Sequence, residues 1–99
     1  MDIKKGAMAG TLESGDVQVT IEPSGGEITF DLTSSVINQF GRQIKKVVLG
    51  TLENLGVKSA RVVVVDNGAL DYAIKARVEC AVLRAAEHTD GIPWGELSK

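Results

Sequence analysis

Arg61-Val62-Val63-Val64-Val65, followed by Asp66-Asn67-Gly68, is the stretch from which the fold can be worked out. Four successive valines, with Gly56 before them and Asn67-Gly68 after them, are typical of a β-strand that is covered on both faces. We therefore expect a strand over 57–65, in the centre of a sheet.

Two helices are predicted, one before and one after this strand. Over about 36–55, apolar residues recur at intervals of three and four, which indicates an apolar stripe along one helix. Ser34 or Ser35 is a suitable N-cap for it, and Gly56 is a suitable left-handed residue after its last turn. The segment 69–87 is rich in strong helix formers and is expected to form the second helix. The two stripes consist of Val36, Phe40, Ile44, Val47, Val48, Thr51, Leu52 and Leu55, and of Leu70, Ile74, Val78, Ala81, Val82 and Ala85.

Three short strands are predicted before the first helix, over 7–13, 17–22 and 27–33. Apolar and polar residues alternate in the third, which indicates one covered face and one wet face. Because short turns join the three strands, we expect them to form an antiparallel meander. If the valine-rich strand lies parallel to the third strand, the helix between them makes a right-handed crossover.

The predicted fold class is α+β, with the order β-β-β-α-β-α. It consists of a mostly antiparallel four-stranded sheet with two helices packed on one face. Ninety-nine residues suggest a single domain over 1–99. We expect a loose N-terminus at 1–6 and a C-terminal tail at 89–99, which Trp94 can anchor in an apolar slot.

Composition argues against several classes of function. A formal net charge of −2 without a Lys/Arg run argues against a nucleic-acid partner. No apolar stretch has the length of a signal peptide or of a membrane span, so we expect a cytoplasmic protein without a membrane partner. Cys80 is the only cysteine, which excludes an internal disulfide and a cysteine-rich metal site.

Ser14 is the residue with the most distinctive setting, in the predicted turn between the first two strands. Gly15 supplies the left-handed backbone that a tight hairpin needs, and this places Ser14 at the exposed tip. On the residues alone, a polar turn residue is the ordinary interpretation. Leu12 and Asp16 stand where a Gly-x-Ser-x-Gly nucleophile elbow would have glycines, so we do not expect Ser14 to act as a catalytic nucleophile.

The remaining chemistry-bearing side chains are given structural roles. His88, the single histidine, is expected to interact with the dipole at the end of the second helix. Cys80 is expected to be a small buried apolar residue. No catalytic residue and no metal ligand is therefore assigned. The acids with structural roles are Asp66, Asp71 and Glu79, and Arg77 is expected to form an ion pair with Glu13, Asp16 or Asp31.

The segment 9–16 resembles the start of the citrate lyase acyl carrier protein family, in which the serine of this motif carries a prosthetic group. The resemblance covers nearly the whole chain. It implies that Ser14 is the attachment residue for 2'-(5''-phosphoribosyl)-3'-dephospho-CoA, held through a phosphodiester. Glu13 and Asp16 would flank this arm and repel its phosphates. Further blocks that resemble the family, in the same order, are Ser34-Ser35-Val36, Gln39-Phe40-Gly41, 66–71, 74–79 and Pro93-Trp94.

The same resemblance implies a non-catalytic carrier subunit. Its arm would carry acetyl and citryl thioesters between the alpha (transferase) and beta (lyase) subunits of citrate lyase, while citrate is cleaved to acetate and oxaloacetate. Further expected partners are the transferase that attaches the arm and the ligase that acetylates its thiol. Three alternatives stay open: the carrier subunit of malonate decarboxylase, an unmodified protein-interaction module, and a small enzyme, which the absence of a catalytic set disfavours.

Overall fold

A computed structural model describes residues 1–87, which form four strands and two helices. Their order along the chain is the predicted β-β-β-α-β-α. No helix in this part of the chain is long and apolar enough to cross a membrane. The predictions for His88, Trp94 and the tail 89–99 lie outside the described residues. The elements are β1 (Ala7–Gly10), β2 (Val17–Glu22), β3 (Ile28–Ser34), α1 (Ile37–Asn54), β4 (Ala60–Asp66) and α2 (Asp71–Ala85).

Strand β4 lies between β2 and β3, which gives the sheet the order β1-β2-β4-β3. It runs antiparallel to β2, with Val64 opposite Val19, and parallel to β3, with Val62 opposite Phe30. The central position of the valine-rich strand is therefore confirmed, and so is its parallel pairing with β3. The prediction of a mostly antiparallel sheet with a β1-β2-β3 meander was wrong, because β4 separates β2 from β3 and makes the sheet mixed.

Both helices pack on one face of this sheet, where the inward side chains of β2 and β4 are buried. Val62 and Val64 are fully buried on that face, whereas Val63 and Val65 are half-buried on the other. The prediction that both faces of β4 are covered was therefore wrong. Neighbouring strands rather than a second layer shield the outer valines, since Val63 lies between Thr20 and Asp31.

The apolar stripes of the helices are buried in their middle and later turns. Two residues that we assigned to the stripes are exposed, although stripe residues are expected to be buried. They are Phe40, at 52%, and Leu70, at 62%. Both lie where a helix begins, next to the loops that follow β3 and β4, and the sheet ends there. The side chains that the helices place in the core include Ile44, Val48 and Leu52 from α1, and Ile74, Val78 and Val82 from α2.

Neither helix begins with a side-chain cap. The N-cap residues are Val36 and Leu70, so the prediction that Ser34 or Ser35 caps α1 was wrong. The Ser34 hydroxyl instead donates to Asp66 Oδ2 at 2.8 Å and accepts the Val36 N–H at 3.1 Å. A buried carboxylate accepts this hydroxyl and so keeps it out of the first turn. After α1, Gly56 has a φ of +70°, the left-handed conformation predicted for it.

The N-terminal residues are held more closely than their charge suggests. The backbone N–H groups of Lys4 and Lys5 donate to the Ala85 carbonyl at 2.9 and 3.2 Å, and Ile3 packs against the core. Met1 also packs against the core, so both apolar residues of the segment 1–6 contact the folded body.

One end of the sheet gathers the parts of the candidate site. Strand β2 begins at the end of the sheet where β3 and β4 finish, since Val17 and Ser34 both lie opposite Asp66. The loops 11–16 and 67–70 lie there, and both helices start there. We call this part of the molecule the loop end. Because helix N-termini carry a partial positive charge, the loop end receives the positive ends of two helix dipoles.

Candidate functional site

Ser14 lies in loop 11–16, which joins β1 to β2 at the loop end. Its side chain and Gly15 are exposed, and Gly15 has a φ of +82°, the left-handed conformation that the sequence predicts. A Cβ at Gly15 would meet no atom within 4 Å, so the space beside Ser14 is open. Because β1 ends at Gly10 and not at Glu13, Ser14 lies in a longer loop than the predicted two-residue turn.

Gly10 brings the two ends of this loop together. It has a φ of +92°, and a Cβ there would lie 1.8 Å from the Val17 carbonyl oxygen and 3.3 Å from Arg77 Cδ. Such a contact with the backbone could only be relieved by moving one end of the loop. The missing side chain at Gly10 therefore permits the close approach of β1 and β2 from which the Ser14 loop starts.

Asp16 organises the loop from inside. Its Oδ2 accepts the Thr11 hydroxyl at 2.6 Å, and its Oδ1 accepts the Val17 N–H at 2.7 Å. Arg77 of α2 donates from Nη2 to Oδ2 at 3.0 Å and from Nε to Oδ1 at 3.3 Å. This two-point ion pair ties the loop to α2, and it selects Asp16 from the three acids that the sequence left open for Arg77.

The same contacts hold the Asp16 carboxyl in its charged form. They lower its pKa from 3.8 to about 2; the largest cause is the hydrogen bond from the Thr11 hydroxyl, followed by the one from the Val17 N–H. Partial burial acts in the opposite direction, and Arg77 adds both a hydrogen bond and a charge. Asp16 is thus an anchor paired with a guanidinium. The pairing offsets part of the negative charge of Asp16, while the repulsion of an arm by Glu13 and Asp16 stays a prediction.

Asn67 holds the loop from the β4 side. Its Nδ2 donates to the Leu12 carbonyl at 2.6 Å, and its backbone N–H donates to the Asp16 carbonyl at 2.9 Å. Its own carbonyl accepts the Gly15 N–H at 2.7 Å. Asn67 therefore forms hydrogen bonds with residues on both sides of Ser14. The Ser14 hydroxyl itself takes no part in these hydrogen bonds.

Asp66 supports Asn67 in turn. It is 1% exposed, and its Oδ2 accepts the Ser34 hydroxyl at 2.8 Å and the Gly68 N–H at 3.1 Å. Its Oδ1 accepts the Ala69 N–H at 3.0 Å. These contacts give Asp66 the structural role expected for it, since they satisfy a buried carboxylate. They also shape the loop 67–70 on which the Ser14 loop rests.

An apolar groove opens at the loop end, between the first turns of α1 and α2. Its volume is about 680 Å³. Three of its side chains are large and well exposed: Phe40 at 52%, Leu70 at 62% and Tyr72 at 73%. Asp71 also lines the groove, and its Oδ2 accepts Gln43 Nε2 at 2.8 Å. We refer to this feature as the apolar groove; Val36, Ile44, Gly68 and Ala69 complete its lining.

The described part of the chain contains no candidate metal site. Within residues 1–87, no group of three or more His, Cys, Asp and Glu side chains is placed to hold a metal ion. Cys80 is a free thiol that packs against the core, although it is only half-buried and not buried as expected. Sequence reasoning missed Asn67 and the apolar groove as parts of the site. For Asn67 a signal was present, because Asp66-Asn67-Gly68 is typical of a loop that side chains stabilise.

The chain is similar to known carrier subunits. Residues 4–85 match the family model ACP, described as malonate decarboxylase delta subunit (MdcD). A citrate lyase acyl carrier protein of Fusobacterium nucleatum is 54% identical over 91% of this chain and 97% of its own length. Another, of Streptococcus mutans, is 54% identical over 98% of this chain and 95% of its own length.

A solved structure is similar in fold. It is a chain in the crystal structure of a Pseudomonas malonate decarboxylase hetero-tetramer in complex with malonate, with a TM-score of 0.69. The match covers 84% of this chain and 86% of that chain, at 22% sequence identity. At this identity the likeness shows that the two chains share a fold.

Proposed function

Because the chain belongs to the citrate lyase acyl carrier protein family, we propose that it carries acyl groups for citrate lyase on a prosthetic group attached to Ser14. The observation that supports the proposal most directly is the exposed Ser14 side chain, on a loop that Arg77 and Asn67 hold in place. A carrier needs its attachment point in solvent and its scaffold rigid. The exposure of Ser14 and the hydrogen bonds around its loop fit both requirements.

The surroundings of Ser14 fit a covalently attached group. A Cβ built at Gly15 meets no atom within 4 Å, so the position next to Ser14 along the chain is open. The Ser14 hydroxyl is not needed by the loop network, so its use as an attachment oxygen leaves that network unchanged. In the attachment step, Oγ bonds to the phosphorus of an activated precursor, and the hydroxyl proton and the leaving group of that precursor depart.

The proposed prosthetic group is 2'-(5''-phosphoribosyl)-3'-dephospho-CoA. When bound, it supplies a thiol that holds acetyl and citryl as thioesters during the cleavage of citrate to acetate and oxaloacetate. The chain supplies position: a flexible tether on a fixed anchor gives the thiol an effective concentration on the order of millimolar at a docked active site. The chain itself is a non-catalytic subunit in this proposal.

The proposed partners follow from that role. They are the alpha and beta subunits of citrate lyase, the transferase that attaches the prosthetic group, and the ligase that acetylates its thiol. A carrier subunit of malonate decarboxylase is the second candidate, since the family model over 4–85 bears that description. The 54% identity to citrate lyase acyl carrier proteins, against 22% to the malonate decarboxylase chain, favours citrate lyase.

The intact mass of the chain tests the proposal. The chain is produced together with a citrate lyase prosthetic-group transferase and compared with Ser14→Ala and with Ser35→Ala, a second exposed serine at the loop end. We expect the mass of the arm on the wild type and on Ser35→Ala, and a bare mass for Ser14→Ala. An adduct that persists in Ser14→Ala would move the attachment site. A bare wild type, with a known carrier modified in the same cells, would refute the proposal.

A further inference from the structure

The apolar groove lies next to the anchor of the proposed arm. The Gly15 N–H is bonded to the Asn67 carbonyl at 2.7 Å, and the next three residues, Gly68 to Leu70, already line the groove. Three residues span at most about 10 Å of chain. A group tethered at Ser14 therefore reaches the groove without leaving the loop end.

The lining of the groove is unusual for a small protein surface. Phe40 and Tyr72 expose aromatic rings beside the exposed Leu70, although the stripe pattern would bury Phe40 and Leu70. Exposed apolar side chains that cluster around a concave surface mark binding sites rather than ordinary surface. A volume of about 680 Å³ is within the range of about 300–1,000 Å³ that small-molecule sites have.

The two helix N-termini are the features of the loop end that favour a phosphate-bearing ligand. Both α1 and α2 begin beside the groove without a side-chain cap, so the positive ends of their dipoles lie near it. Arg77 pairs with Asp16, which offsets part of the negative charge of one of the two acids beside Ser14. Asp71 also lines the groove; its hydrogen bond from the neutral Gln43 amide fixes the carboxylate in place and leaves its charge, so the phosphates of a bound nucleotide must lie away from it.

We propose that the apolar groove is a resting site for the nucleotide part of the proposed arm, with its adenine ring against the exposed rings of Phe40 and Tyr72 and its phosphates toward the two helix N-termini. The inference rests on the attachment at Ser14. In the arm named above, the nucleotide is the part nearest the serine and the thiol is the part farthest from it. A groove beside Ser14 therefore holds the nucleotide and leaves the thiol free.

Weak affinity is sufficient for such a site. A tether raises the local concentration of the nucleotide to the order of millimolar, so a groove with a dissociation constant of about 1 mM is occupied about half of the time. The nucleotide then leaves easily when a partner subunit takes up the arm. An open groove with exposed aromatic rings is suited to such weak and reversible binding.

Proton NMR of the modified chain tests this inference. The H2 and H8 resonances of adenine are compared in the modified wild type and in free 3'-dephospho-CoA, after the intact mass has shown that the arm is present. We expect upfield ring-current shifts in the modified chain. Tyr72→Ala should lose most of this shift and Tyr72→Phe should keep it. Leu12→Ala, which removes an exposed apolar side chain near Ser14 but outside the groove, should also keep it.

The outcomes separate the inference from the proposed function. Free-cofactor resonances in a chain whose mass includes the arm would overturn the inference and leave the carrier function standing. Shifts in groove residues that appear only after a citrate lyase subunit is added would also overturn it, and would identify the groove as a protein-docking surface. A wild type that never gains the arm would refute both.

Discussion

Arg77 Nη2 of helix α2 lies 3.0 Å from Asp16 Oδ2 in the loop that presents Ser14, although the two residues are 61 positions apart in the chain. Arg77 is 42% exposed and Asp16 is 18% exposed. The pair is thus accessible to solvent on the Arg77 side, where water screens the attraction. Its contribution is to the position of the loop more than to the stability of the fold.

Arg77→Met should loosen the Ser14 loop at a small cost in stability. The substitution keeps an apolar stem and removes both donors to Asp16, so we expect the free energy of unfolding in urea to fall by about 1 kcal/mol or less. Amide exchange of Gly15 and Asp16 should become faster. Arg61→Met, an exposed arginine on the open face of the sheet, should change neither quantity. Unchanged exchange in Arg77→Met would show that Asn67 alone holds the loop.

The Asp16 pKa makes stability depend on pH in a defined window. Folding lowers this pKa from 3.8 to about 2, so the stabilisation is fully present above about pH 4 and is lost as the pH falls toward 2. Urea unfolding of the wild type and of Asp16→Asn should therefore differ most at neutral pH, and the difference should shrink between pH 4 and 2. A difference that stays constant over this window would contradict the pKa.

Gly10→Ala should be far more damaging than Gly15→Ala. Both glycines have positive φ, +92° and +82°, so a side chain costs about 1–2 kcal/mol in backbone conformation at either position. At Gly10 the added Cβ would also lie 1.8 Å from the Val17 carbonyl oxygen, whereas at Gly15 it meets no atom within 4 Å. We expect Gly10→Ala to exceed Gly15→Ala by about 2 kcal/mol or more in urea unfolding. Equal losses would mean that the close approach of β1 and β2 is not maintained.

Asp66→Ala should be strongly destabilising. The buried carboxylate accepts three hydrogen bonds, and its removal leaves the Ser34 hydroxyl and the N–H groups of Gly68 and Ala69 without that partner. We expect a loss of about 3 kcal/mol in the free energy of unfolding. Asp31→Ala, at an exposed position of β3, should change it by about 0.5 kcal/mol or less. A small effect at Asp66 would show that water replaces the carboxylate.

The parts of the fold that depend on local sequence were predictable. The bounds of β2, the order of elements and the left-handed Gly56 all follow from residues close together in the chain. The place of β4 between β2 and β3 could not be predicted in this way. The periodicity of a strand indicates which of its faces is covered, but it does not indicate which strand is its neighbour. The exposure of Phe40 and Leu70 was missed for a related reason: a stripe does not tell where the sheet beneath it ends.

In the candidate site, too, the features that depend on local sequence were predicted and those that depend on distant contacts were not. The exposed position of Ser14 and the conformation of Gly15 follow from the turn residues. The choice of Asp16 among three acids for Arg77, and the three bonds from Asn67 to the loop, are contacts between distant parts of the chain. No pattern within a short window contains them.

The contacts that join the Ser14 loop to other parts of the fold come from the second half of the chain, from Asn67 and Arg77. During synthesis, Ser14 is therefore made well before Asn67 and Arg77, the residues that hold its loop. The contacts around the serine are complete only when β4 is paired and helix α2 has docked, so a transferase that requires this loop geometry would act only on a chain that has folded through residue 77.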